Sequence, residues 1–123
     1  MIASILVIED NDLTARLYQG LLEKAGYNVL LAIDTRDAEQ YLNNIEVDLI
    51  ILDYELPDKI GVEWLRDLRE YPLYVDLPVI LVSFMHRDED LRNDRFVWFM
   101  EKPMQPQHIV TAVEATIREF ESR

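Results

Sequence analysis

The sequence has no cysteine among its 123 residues. That excludes disulfides and thiolate metal sites, and it agrees with a reducing compartment. No apolar run has the length that crosses a bilayer. The apolar start, Ile2-Ala3-Ser4-Ile5-Leu6-Val7-Ile8, passes straight into Glu9-Asp10-Asn11-Asp12. It carries neither the basic first segment nor the cleavage site of a secretory leader. Positive charge is scarce: 12 Lys and Arg stand against 24 Asp and Glu, a formal net charge of −12. A chain this acidic is repelled by nucleic-acid backbones and anionic membranes, so direct binding to either is not expected. Repeats, linkers and low-complexity tracts are also missing. The expectation is a single cytoplasmic domain over residues 1–123.

Apolar residues are plentiful, at 50% of the chain, which is enough for a core and argues against disorder. They alternate between short runs and longer amphipathic stretches. Ile5-Leu6-Val7-Ile8 reads as a buried strand. Leu13, Leu17, Leu21, Leu22 and Ala25 have helical spacing that stops at Gly26, with Asn11 or Asp12 as cap. Asn28 to Ala32 reads as a second strand, and Ala38, Tyr41, Leu42 and Ile45 as one face of a second helix. Leu49-Ile50-Ile51-Leu52 is apolar throughout, as a central strand covered on both faces must be. A third helix after Pro57 and Gly61 carries Val62, Leu65 and Leu68. Pro78 to Val82 gives a fourth strand and Phe96 to Met100 a fifth. A last helix has Pro106 in its first turn and Ile109, Val113, Ile117 and Phe120 on one face. Strand and helix in alternation imply an α/β fold, a parallel sheet with helices on both sides.

In such sheets functional groups gather at the carboxyl ends of the strands. Glu9 and Asp10 follow strand one, Asp53 strand three, Ser83 strand four and Lys102 strand five. Taken singly, Glu9 and Asp10 read as a loop start with a helix cap, and Asp53 as a turn residue. Together they bring three carboxylates to one place, where they cannot all ionise without a counter-charge. A hard divalent cation with oxygen ligands answers that need, and Mg²⁺ requires few protein groups. Asp53 then has the setting of a carboxylate nucleophile toward phosphorus. Lys102 and Ser83 are the donors placed to meet phosphoryl oxygens.

The pieces Val7-Ile8-Glu9-Asp10-Asn11, Asp53-Tyr54-Glu55-Leu56-Pro57 with Gly61, Ser83 and Lys102-Pro103 resemble, over essentially the whole chain, a response-regulator receiver domain of two-component signalling. Leu22-Glu23-Lys24-Ala25-Gly26-Tyr27 is similar to the end of that family's first helix. The resemblance implies a doubly wound, flavodoxin-like three-layer sandwich whose five-stranded parallel sheet has the order 2-1-3-4-5. It implies Asp53 as the phosphoacceptor, and Mg²⁺ held by Asp10, Asp53 and the Glu55 backbone carbonyl, with Glu9 acting through a water. Ser83 and Lys102 would contact the phosphoryl group, Phe99 and Ser83 would act as the switch pair, and the Lys102-Pro103 bond would be cis. The implied donor is a histidine kinase or histidine phosphotransfer protein. The domain would promote its own phosphorylation and dephosphorylation without being a turnover enzyme, and a homodimer is one implied output form.

Two features depart from the family pattern. Phe84 stands where a small residue is usual; it either narrows access to the phosphoryl site and slows the chemistry, or turns away into packing. Residues 85–95 are short and charged, with Leu91 as the one aliphatic residue of their charged part. A fourth helix between strands four and five is therefore expected to be short, displaced or absent, and His86 to be a solvated loop residue. Trp98, on the expected edge strand, is read as core packing, with a partner site as the other reading. Two further functions stay open: a receiver-like interaction module that works without phosphorylation, and an Mg²⁺ phosphatase, which Asp53-Tyr54-Glu55 also resembles.

Overall fold

The computed structural model describes residues 2–84, 91, 93–102 and 104–122. His86, most of the expected fourth-helix segment and the Lys102-Pro103 peptide bond lie outside the described residues. Five strands, β1 (Ser4–Ile8), β2 (Asn28–Ala32), β3 (Leu49–Asp53), β4 (Val79–Ser83) and β5 (Val97–Glu101), form one sheet in the order β2-β1-β3-β4-β5. Every pairing is parallel. The helices are α1 (Asp12–Lys24), α2 (Thr35–Asn44), α3 (Gly61–Leu68) and α4 (His108–Glu121), with a 3₁₀ turn at Pro72–Tyr74. This is the doubly wound arrangement expected from the sequence.

Strand alternation divides the core into two layers. Leu6, Ile8, Ile50, Leu52 and Leu81 point toward α2 and α3, where they meet Ala38, Leu42 and Leu65. Ile5, Val7, Leu49, Ile51 and Ile80 point the other way, toward Tyr18, Leu22, Ile109 and Val113 of α1 and α4. All five residues of β3 and of β4 are buried, as central strands require. Each buried Leu or Ile contributes about 1.5–3 kcal/mol of transfer free energy. On the edge strand β5, Trp98 packs on the α4 layer and donates Nε1–H to Glu119 Oε2 at 3.0 Å. Packing is the reading of Trp98 that holds.

The face of α1 differs from the expected stripe. Ala15, Tyr18 and Leu22 are buried, whereas Leu13 is 71% exposed and Leu17 also faces solvent. Leu13 and Leu22 lie nine residues apart, about two and a half turns, so they project from opposite sides. Both sets have helical spacing; the turn out of β1, capped by Asn11 accepting from Thr14 N–H at 2.9 Å, decides which set meets the sheet. On α2, Thr35 joins Ala38 and Leu42 in the core, while Ile45 is partly exposed at the helix end. Trp64, absent from the expected face of α3, is buried and donates Nε1–H to Glu39 Oε1 at 3.1 Å. The last helix begins two residues after Pro106, with Gln107 as its cap, and Thr116 rather than Ile117 or Phe120 is fully buried.

The amino edge of the sheet is tied by Arg69, just past α3. Its Nε donates to Asp94 Oδ2 at 2.9 Å and its Nη1 to the carbonyls of Tyr74 and Leu77, both at 2.7 Å. Its Nη2 donates to the Phe96 carbonyl at 3.2 Å. One guanidinium thereby fastens α3 to the starts of β4 and β5.

Candidate functional site

Each strand delivers its polar residue to the carboxyl edge by register. Glu9 follows β1, its N–H held by the Ala32 carbonyl at 2.9 Å. Asp53 ends β3 opposite Val82, and Ser83 ends β4 opposite Glu101. Lys102 follows β5, its N–H bonded to the Ser83 carbonyl at 2.7 Å. Glu9, Asp53 and Ser83 are buried polar residues at the rim of an apolar sheet, and Asp10 is exposed beside them. Carboxylate oxygens of Glu9, Asp10 and Asp53 lie within 4.8 Å of one another. Lys102 Nζ stands 3.1 Å from Asp53 Oδ1 and 4.0 Å from Glu9 Oε1. These groups border a cavity of about 470 Å³ that Glu55, Pro57 and Phe84 also line.

Electrostatics mark the place as under-neutralised. Burial pushes the Glu9 carboxyl up to about 7; the Asn11 N–H opposes this, neighbouring Asp53 adds to it, and Lys102 opposes it weakly. Burial, then Glu9 and Asp53, push the Tyr18 hydroxyl on α1 up to about 12. One ammonium cannot balance three carboxylates in a partly dry pocket. The donor set is oxygen only, clustered and anionic, which suits a hard divalent cation such as Mg²⁺ and no soft metal.

The loop leaving Asp53 is closely constrained. Gly61 N–H bonds to the Tyr54 carbonyl at 2.7 Å, and Glu55 bridges to Ile60. A Cβ on Gly61 would lie 2.4 Å from the Asp53 carbonyl oxygen, so only glycine admits this approach. Asp58 reaches across to α2, accepting from Thr35 Oγ1–H at 2.7 Å and Thr35 N–H at 3.3 Å. Burial would raise the Asp58 carboxyl, but these bonds, with the amides of Asp58 itself and of Arg36, outweigh it and hold it below the usual range.

The structure thus brings Glu9, Asp10, Asp53, Glu55, Ser83 and Lys102 to one cavity. It leaves Phe99 off that cavity, half-buried on β5 against the α2–α3 layer. Phe84 does not turn into packing: it is 61% exposed, with the Lys102 ammonium 5.4 Å from its ring centroid. A cation resting on a ring face is the reason it stays at the mouth. Tyr18 and the Asp58–Thr35 clasp escaped the sequence reading. Tyr18 carried a faint signal as an aromatic at helical spacing; the clasp joins residues too distant in sequence to carry one.

Comparison with known proteins agrees with this geometry. Residues 5–114 match the family described as the response regulator receiver domain. The chain is 30% identical over 118 residues to the phosphate regulon transcriptional regulatory protein PhoB of Pseudomonas aeruginosa, covering 94% of this chain and 52% of that protein. It is 28% identical over 121 residues to the polar-differentiation response regulator DivK of Brucella ovis, covering 94% and 96%. Among solved structures, the chemotaxis response regulator CheY4 of Vibrio cholerae superposes with a TM-score of 0.86 at 21% identity, covering 94% and 99%. The chain spans about half the length of the first of these relatives.

Proposed function

The chain belongs to the response regulator receiver family, and on that premise we propose that Asp53 is its phosphoacceptor and that residues 1–123 act as one receiver unit. The family serves two-component signalling as phosphoacceptor switches, not as turnover enzymes, and its members work with histidine kinases and phosphotransfer proteins. Receiver domains bind Mg²⁺ at an acidic pocket, and here Glu9, Asp10, Asp53 and the Glu55 carbonyl would hold it. When bound, the ion neutralises carboxylate charge and lowers the repulsion between Asp53 and an incoming phosphoryl group. Among the described residues, no helix is long and apolar enough to cross a membrane; the proposed setting is the cytoplasm.

In this reading a carboxylate oxygen of Asp53 attacks phosphorus of a partner's phosphohistidine. The new O–P bond forms as the P–N bond breaks, and the leaving imidazole takes up a proton. Lys102, already 3.1 Å from Asp53, meets the phosphoryl oxygens as a fixed positive charge, and Ser83 moves toward them as a hydroxyl donor. Phe99 then repacks, shifting a two-state equilibrium of the fold. The observation that carries the reading is the buried Asp53 carboxylate facing Lys102 in a cavity it shares with Glu9 and Asp10.

Intact-mass spectrometry after incubation with Mg²⁺ and acetyl phosphate tests it. One added phosphoryl group is expected in the wild type, and none in Asp53→Ala or without Mg²⁺. An adduct that survives Asp53→Ala refutes the assignment. The placement of Phe84 at the mouth favours a second reading, a module that signals by binding alone; it predicts no adduct even with a competent phosphohistidine donor.

A further inference from the structure

A trough at the amino edge of the sheet, on the α2–α3 side and reaching Phe120 of α4, has no role in phosphoryl chemistry. It runs between α2 and the segment joining α3 to β4, as two adjoining cavities of about 500 and 660 Å³ that share Leu42, Asn43 and Tyr74. Its floor is fixed: Tyr74 O–H donates to the Leu42 carbonyl at 3.0 Å, and Trp64 is bonded to Glu39. Its lip is apolar. Leu73 is 77% exposed and Tyr71 62%, and Ile45 also presents a large apolar side chain to water. Exposed apolar side chains gathered along one slot form a patch, not a scatter of single side chains.

The charged side chains that line the trough share one sign, with the Arg69 guanidinium behind them on the Tyr74 and Leu77 carbonyls. Glu39, Asp67 and Glu70 line one cavity and Glu46, Asp48 and Asp76 the other, and no Lys or Arg lines either. Asp67 is paired with Lys59, and Asp48 accepts from the Ser4 N–H. Glu46, Glu70 and Asp76 form no ion pair among the described residues. An apolar slot bordered by unpaired carboxylates repels a second copy of this chain, whose net charge is −12. It complements a segment that presents apolar side chains on one face and positive charges beside them.

We propose that this trough is a docking site for a basic amphipathic segment of a partner protein, with Tyr71 and Leu73 as apolar anchors and Glu46, Glu70 and Asp76 as its charge rim. Apolar anchors supply most of the affinity of such contacts, and rim charges supply selectivity and salt dependence.

The test uses the whole chain and a fluorescein-labelled Lys/Leu amphipathic helix about 18 residues long, read by fluorescence anisotropy. Tyr71→Ser/Leu73→Ser is expected to weaken binding at least about tenfold, as is Glu46→Gln/Glu70→Gln/Asp76→Gln. Leu13→Ser/Leu17→Ser on α1 is expected to leave it within about twofold. The altered side chains are exposed, and circular dichroism of each variant confirms that it is folded. Binding unchanged in both trough variants would overturn the proposal, as would equal loss in the α1 variant or equal affinity for a Glu/Leu helix. Sedimentation showing wild-type self-association that Leu73→Ser abolishes would assign the trough to a second copy instead.

Discussion

Each edge of the sheet holds one cation largely withdrawn from water, and the two are used differently. At the amino edge the Arg69 guanidinium meets one carboxylate, Asp94, and three backbone carbonyls. Both partners of that ion pair are mostly buried, and the donor fork is spent on groups of the fold itself. At the carboxyl edge Lys102 faces Asp53 and Glu9, with Asp10 close by, so negative charge is left over. The first arrangement is electrically closed and holds the structure. The second is electrically open among the described residues, its carboxylates outnumbering the one cation that faces them.

Removing each cation sharpens the contrast, and the largest effect is expected at the amino edge. Arg69→Met strands Asp94 and three carbonyls, and should cost about 3–5 kcal/mol in urea unfolding. A loss under about 1 kcal/mol would show that the edge is not held this way.

Glu9→Gln should act in the opposite direction. The folded Glu9 carboxyl lies near 7, above its ordinary 4.5, so between those values the folded state holds more protons than the unfolded state. Glu9 thus contributes a fall in stability of the metal-free wild type as pH rises from about 4.5 through 7, on the order of 2–3 kcal/mol. The Gln variant should lack that part of the fall. Asp53, Asp10 and Lys102 face Glu9, so the difference between the two profiles reads Glu9 together with its coupling to Asp53; parallel profiles would remove the claim.

Lys102→Met should change stability by less than about 1 kcal/mol, since the carboxylates it leaves behind can take up protons. Its phosphorylation rate should fall about a hundredfold. Loss of folding in this variant would place Lys102 with Arg69 as a structural cation. The smallest effect is expected from Phe84→Ala. Freeing the Lys102 ammonium from a ring contact worth about 0.5–1 kcal/mol should speed phosphotransfer or dephosphorylation about two- to fivefold. Unchanged rates would make Phe84 a bystander.

Much of the molecule was legible from residue order. β3 and β4 are so uniformly apolar that their burial, and hence the position of Asp53 and Ser83 at their ends, followed from the pattern. The sheet order, and the expectation that the Glu55 carbonyl would face a metal, came from family resemblance. What stayed hidden depended on orientation or on distance in sequence. Leu13 and Leu17 have the same helical spacing as the residues that are buried, so periodicity alone could not choose between two faces of α1. Arg69 and Asp94 are 25 positions apart, and nothing local announces such a pair. Phe84 could be flagged by its place but not by its rotamer.

The clasp between Asp58 and Thr35 also has a consequence for chain length. The loop leaving Asp53 is pinned at its start by Glu55, at its end by Gly61 and at its far point by α2. Pinned at three places, it has no slack in which to absorb a residue more or a residue fewer. Its spacing acts as a ruler, and a single insertion among residues 54–60 would slide every later anchor out of register. Exchanging an exposed side chain there, such as that of Glu55, would leave the ruler intact. Variation at this loop should therefore be strict in count and, away from Asp58 and Gly61, tolerant in composition.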